Sequence, residues 1–442
     1  MSRSAILHRL AGVAWVMGIA IAVGLLLGTG GMVERQPKLA VVVAVGILAV
    51  GLTLVEAATI PLLVIPALLV INRVHAGGID LSFSDFALFV AFWPAVFLGK
   101  RPYSRPMRTM IWLSVIYQVS TMFTLVLNPY KANVVEWFHA GLLVAGALIV
   151  GWTVGRAGYA RLGMNALVLA AAVLAVLAVG QALIAYSRGD FSPLYVHWPY
   201  PMHKNFVGTI LGCIAVVLYA RPPFIRWRRG TSLALFWLCV AGILVSQSRQ
   251  ALIGLGIALV FIVLRRESHV RRSRLIMLAV APLLGLIGMS VNEQVKSGNE
   301  FNSLFQRLSW FQDSVDVWSR SPYFGVGLRW WYTDRFKVRF QPPNAEMEVL
   351  TSAGIVGLLG FLILMVGAIV VLWRLDPAFG TAAAAAVMSR MVQAQMDLFW
   401  VAAQASLPFL IAGIALGAHA LEHQSDELLE RLAQSERASV PA

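Results

Sequence analysis

Four short stretches carry side chains able to do chemistry. Met202-His203-Lys204-Asn205 puts an imidazole, an ammonium and an amide at one helix start, and helix starts attract anions. Lys204 there also suits an interfacial anchor, because a lysine at a helix end snorkels readily. Ser246-Gln247-Ser248-Arg249-Gln250 is a polar knot between two apolar runs with almost no loop. Its polar groups can cap the helix before it, or Arg249 can turn its planar fork to a phosphate and bind two oxygens at once. In Phe305-Gln306-Arg307-Leu308-Ser309-Trp310, Arg307 flanks a stripe of Leu304, Leu308, Phe311, Val315 and Trp318 at helical spacing. The stripe reads as packing, and Ser321-Pro322-Tyr323-Phe324-Gly325-Val326-Gly327 after it as a tight turn with close backbone approach. Last comes Pro342-Pro343-Asn344-Ala345-Glu346-Met347-Glu348. Asn344 can cap the helix that follows, and Glu346 and Glu348, two apart, point to different sides of it. One carboxylate can then be a general base and the other a fold contact, although both also suit the helix dipole.

The elements that must position these groups are apolar. Of the 442 residues, 59% are hydrophobic and 13% charged, and the mean hydropathy is +0.76, which excludes an ordinary soluble domain. The net charge of +14 sits in short basic clusters between apolar runs, as expected of cytoplasmic loops, so no nucleic-acid partner is expected. Cys213 and Cys239 both lie within apolar runs and indicate neither a disulfide framework nor a zinc site. Walking the chain by the positive-inside rule predicts an all-α polytopic membrane protein of about 12–14 transmembrane helices with both termini cytoplasmic. Residues 1–291 form a transmembrane bundle of about 11 helices, with two tightly joined spans in 38–72. The polar stretch 292–345 is a large extracytoplasmic loop domain containing short helices, because lipid offers no partners to so long a polar segment. Residues 346–420 return to the membrane, with a last hairpin around MDLFW, and 421–442 form a charged cytoplasmic tail. All four stretches then fall on the outer side.

At these stretches the sequence resembles the bacterial O-antigen ligase and polymerase superfamily. HKNFVGTIL resembles the family's HKN segment, LVSQSRQALIGL its S-x-S-R segment, and QRLSWFQDSVDVWSRSPYFGVGL its R, W and P-x-x-G-x-G segment. PPNAEMEVLTSAGIVGLLG is similar to the His-Asn segment after the family's large loop. One departure stands out: Pro343 occupies the position where the family has His. The resemblance implies a GT-C-like membrane glycosyltransferase acting at the outer face of a bacterial cytoplasmic membrane. The donor would be a polyprenyl-diphosphate-linked glycan and the acceptor a glycan or lipid hydroxyl. On this reading Arg249, Arg307, Glu346 and Glu348 are catalytic, and His203, Lys204, Asn205, Ser248 and Asn344 bind substrate. Glu346 or Glu348 takes over from the missing His, or His203 reaches in, or catalysis is altered. No acidic pair has metal-ligand spacing, so neither metal nor cofactor is expected. A lipid-linked glycan transporter and a non-catalytic glycan-binding relative remain open alternatives. Pro61 and Pro66 are candidate helix breaks for the former.

Overall fold

In a computed structural model, residues 37–76, 79–265, 285 and 303–439 are described. The spans expected at 11–29 and, apart from residue 285, at 275–291, with the first part of the loop domain, lie outside the described residues. The chain divides into two compact units, residues 1–60 and 61–442. The described part of the first is helix α1, Pro37–Val55. Helix α2, Thr59–Ala67, leads into the second. At nine residues α2 is about 14 Å long, too short to cross a bilayer, so 38–72 does not hold two full spans. A small antiparallel hairpin follows, β1 (Arg73–Ala76) and β2 (Ile79–Ser82).

The second unit is otherwise helical. Helices α3 (Phe83–Leu98), α4 (Arg105–Leu127) and α5 (Lys131–Gly141) come first. A wide π turn, Leu142–Gly146, joins α5 to α6 (Ala147–Arg156). Then come α7 (Ala160–Ser187), α8 (Lys204–Ala220), α9 (Arg229–Ser246) and α10 (Arg249–Leu264). After the polar stretch's α11 (Ser303–Trp318), the chain runs through α12 (Ala345–Arg374), α13 (Pro377–Gln393) and α14 (Ala402–Ser439). Among the described residues six helical stretches are long and apolar enough to cross a membrane: 105–127, 131–156, 160–187, 229–246, 345–374 and 402–424. Shorter apolar helices accompany them. The protein is an all-α polytopic membrane protein.

Two close approaches fix the frame. Gly151 and Gly155 on α6 meet Gly413 and Gly417 on α14, and a Cβ on Gly151 would stand 2.2 Å from the Leu410 carbonyl oxygen. Paired small residues four apart let two backbones touch, the contact that holds helices together where lipid gives no hydrophobic drive. The second approach is a break in α12 at Gly354, whose φ of 68° and ψ of −167° are not helical. The loop 321–327 fills the break: Val326 and Gly327 N–H donate to the Thr351 and Ser352 carbonyls, both at 3.0 Å. In return Ile355 and Val356 N–H donate to the Pro322 and Tyr323 carbonyls at 2.9 and 3.2 Å. Backbone groups freed by unwinding a helix need such partners when water is absent. The tight turn expected at Ser321–Gly327 is therefore a plug, with Gly325 and Gly327 at φ of 72° and 109°.

Candidate functional site

One capping box supplies the first site residue. Ser82 caps α3 by accepting the Asp85 N–H, while Asp85 Oδ2 accepts the Ser82 N–H at 2.9 Å and the Ser82 hydroxyl at 2.7 Å. That leaves Asp85 Oδ1 free to bond His139 Nε2 at 3.0 Å. His139 sits one turn beyond Glu136 on α5, and its Nδ1 faces Glu136 Oε2 at 3.2 Å. The same Glu136 oxygen pairs with Arg329 Nε. The result is a buried chain of Asp85, His139, Glu136 and Arg329. With a carboxylate at each ring nitrogen, only the doubly protonated imidazole donates to both.

Arg329 reaches this chain because its loop is pinned on both sides. Asn133 Oδ1 accepts the Leu328 N–H at 2.9 Å, and the Tyr130 hydroxyl donates to the Leu328 carbonyl at 2.7 Å. Arg335 donates to Asn128 Oδ1 at 2.9 Å and to the Val326 carbonyl at 3.1 Å. Trp330, fully buried among Val317, Val326 and Phe336, anchors the turn from below. Arg329 itself has left-handed backbone, φ 55°.

A third group closes the site from the far end of the sequence. Asp397, in the turn between α13 and α14, accepts from Asn205 Nδ2 at 3.1 Å and from Gln250 Nε2 at 2.6 Å. Buried Arg390 holds this turn by donating to the Leu398 and Phe399 carbonyls, with its guanidinium 5.1 Å from the Phe399 ring. His203 caps α8, its Nδ1 accepting the Asn205 N–H at 3.2 Å. Burial pushes its pKa below the usual histidine value, with Asp397 opposing and Lys204 adding to the shift. Neutral, with Nδ1 accepting, the ring carries its proton on Nε2.

These groups surround one cavity of about 440 Å³. Its wall includes Asp85, Glu136, His139, His203, Asn205, Arg329 and Asp397, with Trp331, Tyr332 and Trp400 as aromatic surface. Ionisable groups, amides and rings in one hollow suit a hydroxyl-rich ligand bearing negative charge. Among the described residues no group of three or more His, Cys, Asp or Glu is disposed to hold a metal ion.

Of the residues singled out from sequence, His203 and Asn205 line this cavity. Arg249 is exposed at the start of α10, one residue from the Gln250 that holds Asp397. Arg307 lies on α11, and its side chain falls outside the described residues. Asn344 caps α12 by accepting the Met347 N–H at 2.9 Å and donates to the Gln395 carbonyl at 3.2 Å. Glu346 and Glu348 do point apart: Glu346 Oε1 accepts from Gln395 at 2.6 Å, and Glu348 Oε1 accepts from Gln341 at 2.9 Å. Glu348 is buried beside Glu136 and Arg329 around a separate small void. Ser248 is buried where α8 and α10 touch, against Gly208. Lys204 sits half-buried in the first turn of α8. Asp85, Glu136, His139, Arg329 and Asp397 were not singled out. The available signals were the Ser82–Asp85 box and an acid and a histidine three apart inside an apolar run, which membrane segments rarely carry without a use.

The family described as O-antigen ligase matches residues 234–362, a stretch holding Ser248, Arg249, Arg307, Arg329, Asn344, Glu346 and Glu348. Among curated proteins nothing matches the chain. The family match supports the O-antigen ligase and polymerase superfamily for this chain, and with it a role in glycan transfer at a membrane.

Proposed function

We propose that the protein transfers or polymerises a glycan from a polyprenyl-diphosphate-linked donor onto an acceptor hydroxyl, at the outer face of a bacterial cytoplasmic membrane. The observation that carries this reading is the Asp85–His139–Glu136–Arg329 chain in the wall of a polar, aromatic-lined cavity, in a chain that matches O-antigen ligase. The starts of α3, α8 and α14 and the first third of the 131–156 stretch contribute to that wall, and basic-loop topology assigns all of them to the outer side.

The chemistry follows from which atoms are left over. Among the described residues Glu136 Oε2 is taken by His139 and Arg329, which leaves Oε1 for an acceptor proton. The acceptor oxygen attacks the anomeric carbon, its proton passes to Glu136 Oε1, and the bond to the diphosphate breaks with its electron pair on the leaving lipid diphosphate. The Arg329 guanidinium, held through Nε, keeps its outer nitrogens for that developing charge. Arg249, exposed and one residue from the Gln250 that holds Asp397, supplies a further cation for the diphosphate, the role the family resemblance also implies for Arg307. His139 fixes the Glu136 carboxylate, and Asp85 fixes His139. Glu136 thus takes the place of the family histidine that Pro343 replaces. Glu346 and Glu348, engaged by Gln395 and Gln341, serve the fold around it.

The test is reconstitution in vesicles with a polyprenyl-diphosphate glycan and a hydroxyl acceptor, following release of polyprenyl diphosphate and growth of product. Release coupled to product supports the reading. A donor that binds but never turns over assigns the chain to non-catalytic glycan binding. Appearance of intact donor in the opposite leaflet assigns it to transport.

A further inference from the structure

A second cavity, of about 550 Å³, lies away from the site just described. It is walled by the end of α6 and the turn after it, the first residues of α7, the loop 221–228, the start of α13 and the 418–422 stretch of α14. Its floor is apolar: Phe379 and Ala418 are buried, and Phe224 leans on Phe379 with ring centroids 6.2 Å apart. Its rim carries Arg161 and Arg226, both exposed and without an ion pair among the described residues, and one carboxylate, Glu422. This end also holds Arg156, Arg221, Arg228 and Arg229, the basic clusters that fix the cytoplasmic side by charge.

Two guanidinium groups over an aromatic floor, at the ends of three helical stretches long and apolar enough to cross a membrane, suit a phosphodiester with apolar tails. Guanidinium binds phosphate oxygens in pairs, and basic pockets between membrane helices on this side take anionic headgroups. We propose that this cavity is a binding site for the phosphodiester headgroup of an anionic membrane phospholipid, with Arg161 and Arg226 as its phosphate ligands and Phe224 and Phe379 against the acyl chains. Glu422 opposes the bound anion and sets its affinity below that of an all-cationic rim.

The experiment uses the full-length protein in detergent micelles supplied with phosphatidylglycerol or phosphatidylcholine, with retained lipid counted by native mass spectrometry. Wild type is expected to keep phosphatidylglycerol with a preference of roughly tenfold to thirtyfold, the scale of two cations at a membrane surface. Arg161→Gln and Arg226→Gln each reduce that preference, Glu422→Gln raises it, and Arg188→Gln, at the opposite end of α7, leaves it unchanged. All four side chains are exposed, so folding, checked by thermal midpoint, is expected to survive. Equal retention by wild type and both arginine variants overturns the proposal. Displacement of the lipid by millimolar inorganic phosphate at fixed ionic strength overturns it in favour of a soluble phosphate ligand. Loss of retention in Glu422→Gln overturns the anionic assignment in favour of an amine-bearing headgroup.

Discussion

Replacing Glu136 with glutamine tests the proposed reaction at the residue where its parts meet. Glutamine preserves volume but offers one neutral carbonyl to two donors, His139 Nδ1 at 3.2 Å and Arg329 Nε. A hydrogen bond to a charged group contributes about 1.5–3 kcal/mol, and neutralising one partner removes roughly half of that. Across two such bonds the loss is about 1.5–3 kcal/mol, or roughly 10–150-fold in rate if all of it falls on the transition state. Loss of a positioned base removes about 10²–10⁴-fold more. Glu136→Gln should therefore cut kcat for glycan transfer by at least about 10³-fold, with KM for the lipid-linked donor changed far less. The assay is initial-rate release of polyprenyl diphosphate from vesicles, beside a thermal midpoint to confirm folding. Glu346→Gln is the comparison, since Glu346 bonds Gln395 and lies off the cavity wall. A Glu136→Gln protein that folds and turns over within about threefold of wild type refutes the assignment. So does a Glu346→Gln protein that loses as much as Glu136→Gln.

Arg329→Lys keeps the charge but loses the fork, so kcat should fall by about 10²–10³-fold, and an unchanged kcat would remove Arg329 from leaving-group stabilisation. Arg249→Ala should abolish transfer while the protein still inserts, and full activity in the purified variant would confine Arg249 to the surface. The neutral His203 cap contributes stability that is present above the unfolded pKa near 6.5 and lost as pH falls through the lower folded value; His203→Asn should flatten the dependence of thermal midpoint on pH over that window. Gly354→Ala places a Cβ 2.3 Å from the Tyr323 carbonyl at a φ of 68°, so about 1–3 kcal/mol of backbone strain precedes any steric cost, readable as a lower thermal midpoint. Transfer should persist with a chelator present, and a loss restored by magnesium would require a metal in the reaction.

What sequence could and could not reveal follows from how far apart the cooperating groups lie. Helix positions were legible because lipid imposes long apolar runs, and α3 to α10 and α12 to α14 fall close to those runs. The cap at Asn344 and the divergence of Glu346 and Glu348 were legible too, because both depend on residues within one turn. The cavity was not, since Asp85, Glu136, Arg329 and Asp397 come from four separate segments and only packing brings them together. The hairpin β1–β2 and the break at Gly354 escaped for a related reason. A glycine in an apolar run reads as helix until a distant loop, here 321–327, supplies the bonds the helix gives up. That same substitution of loop for helix makes the site possible: the plug that repairs α12 runs directly into Leu328 and Arg329. Arg329 is thus held against Glu136 by the fold's own repair of a broken span, and loosening the plug should reduce transfer before it unfolds the bundle.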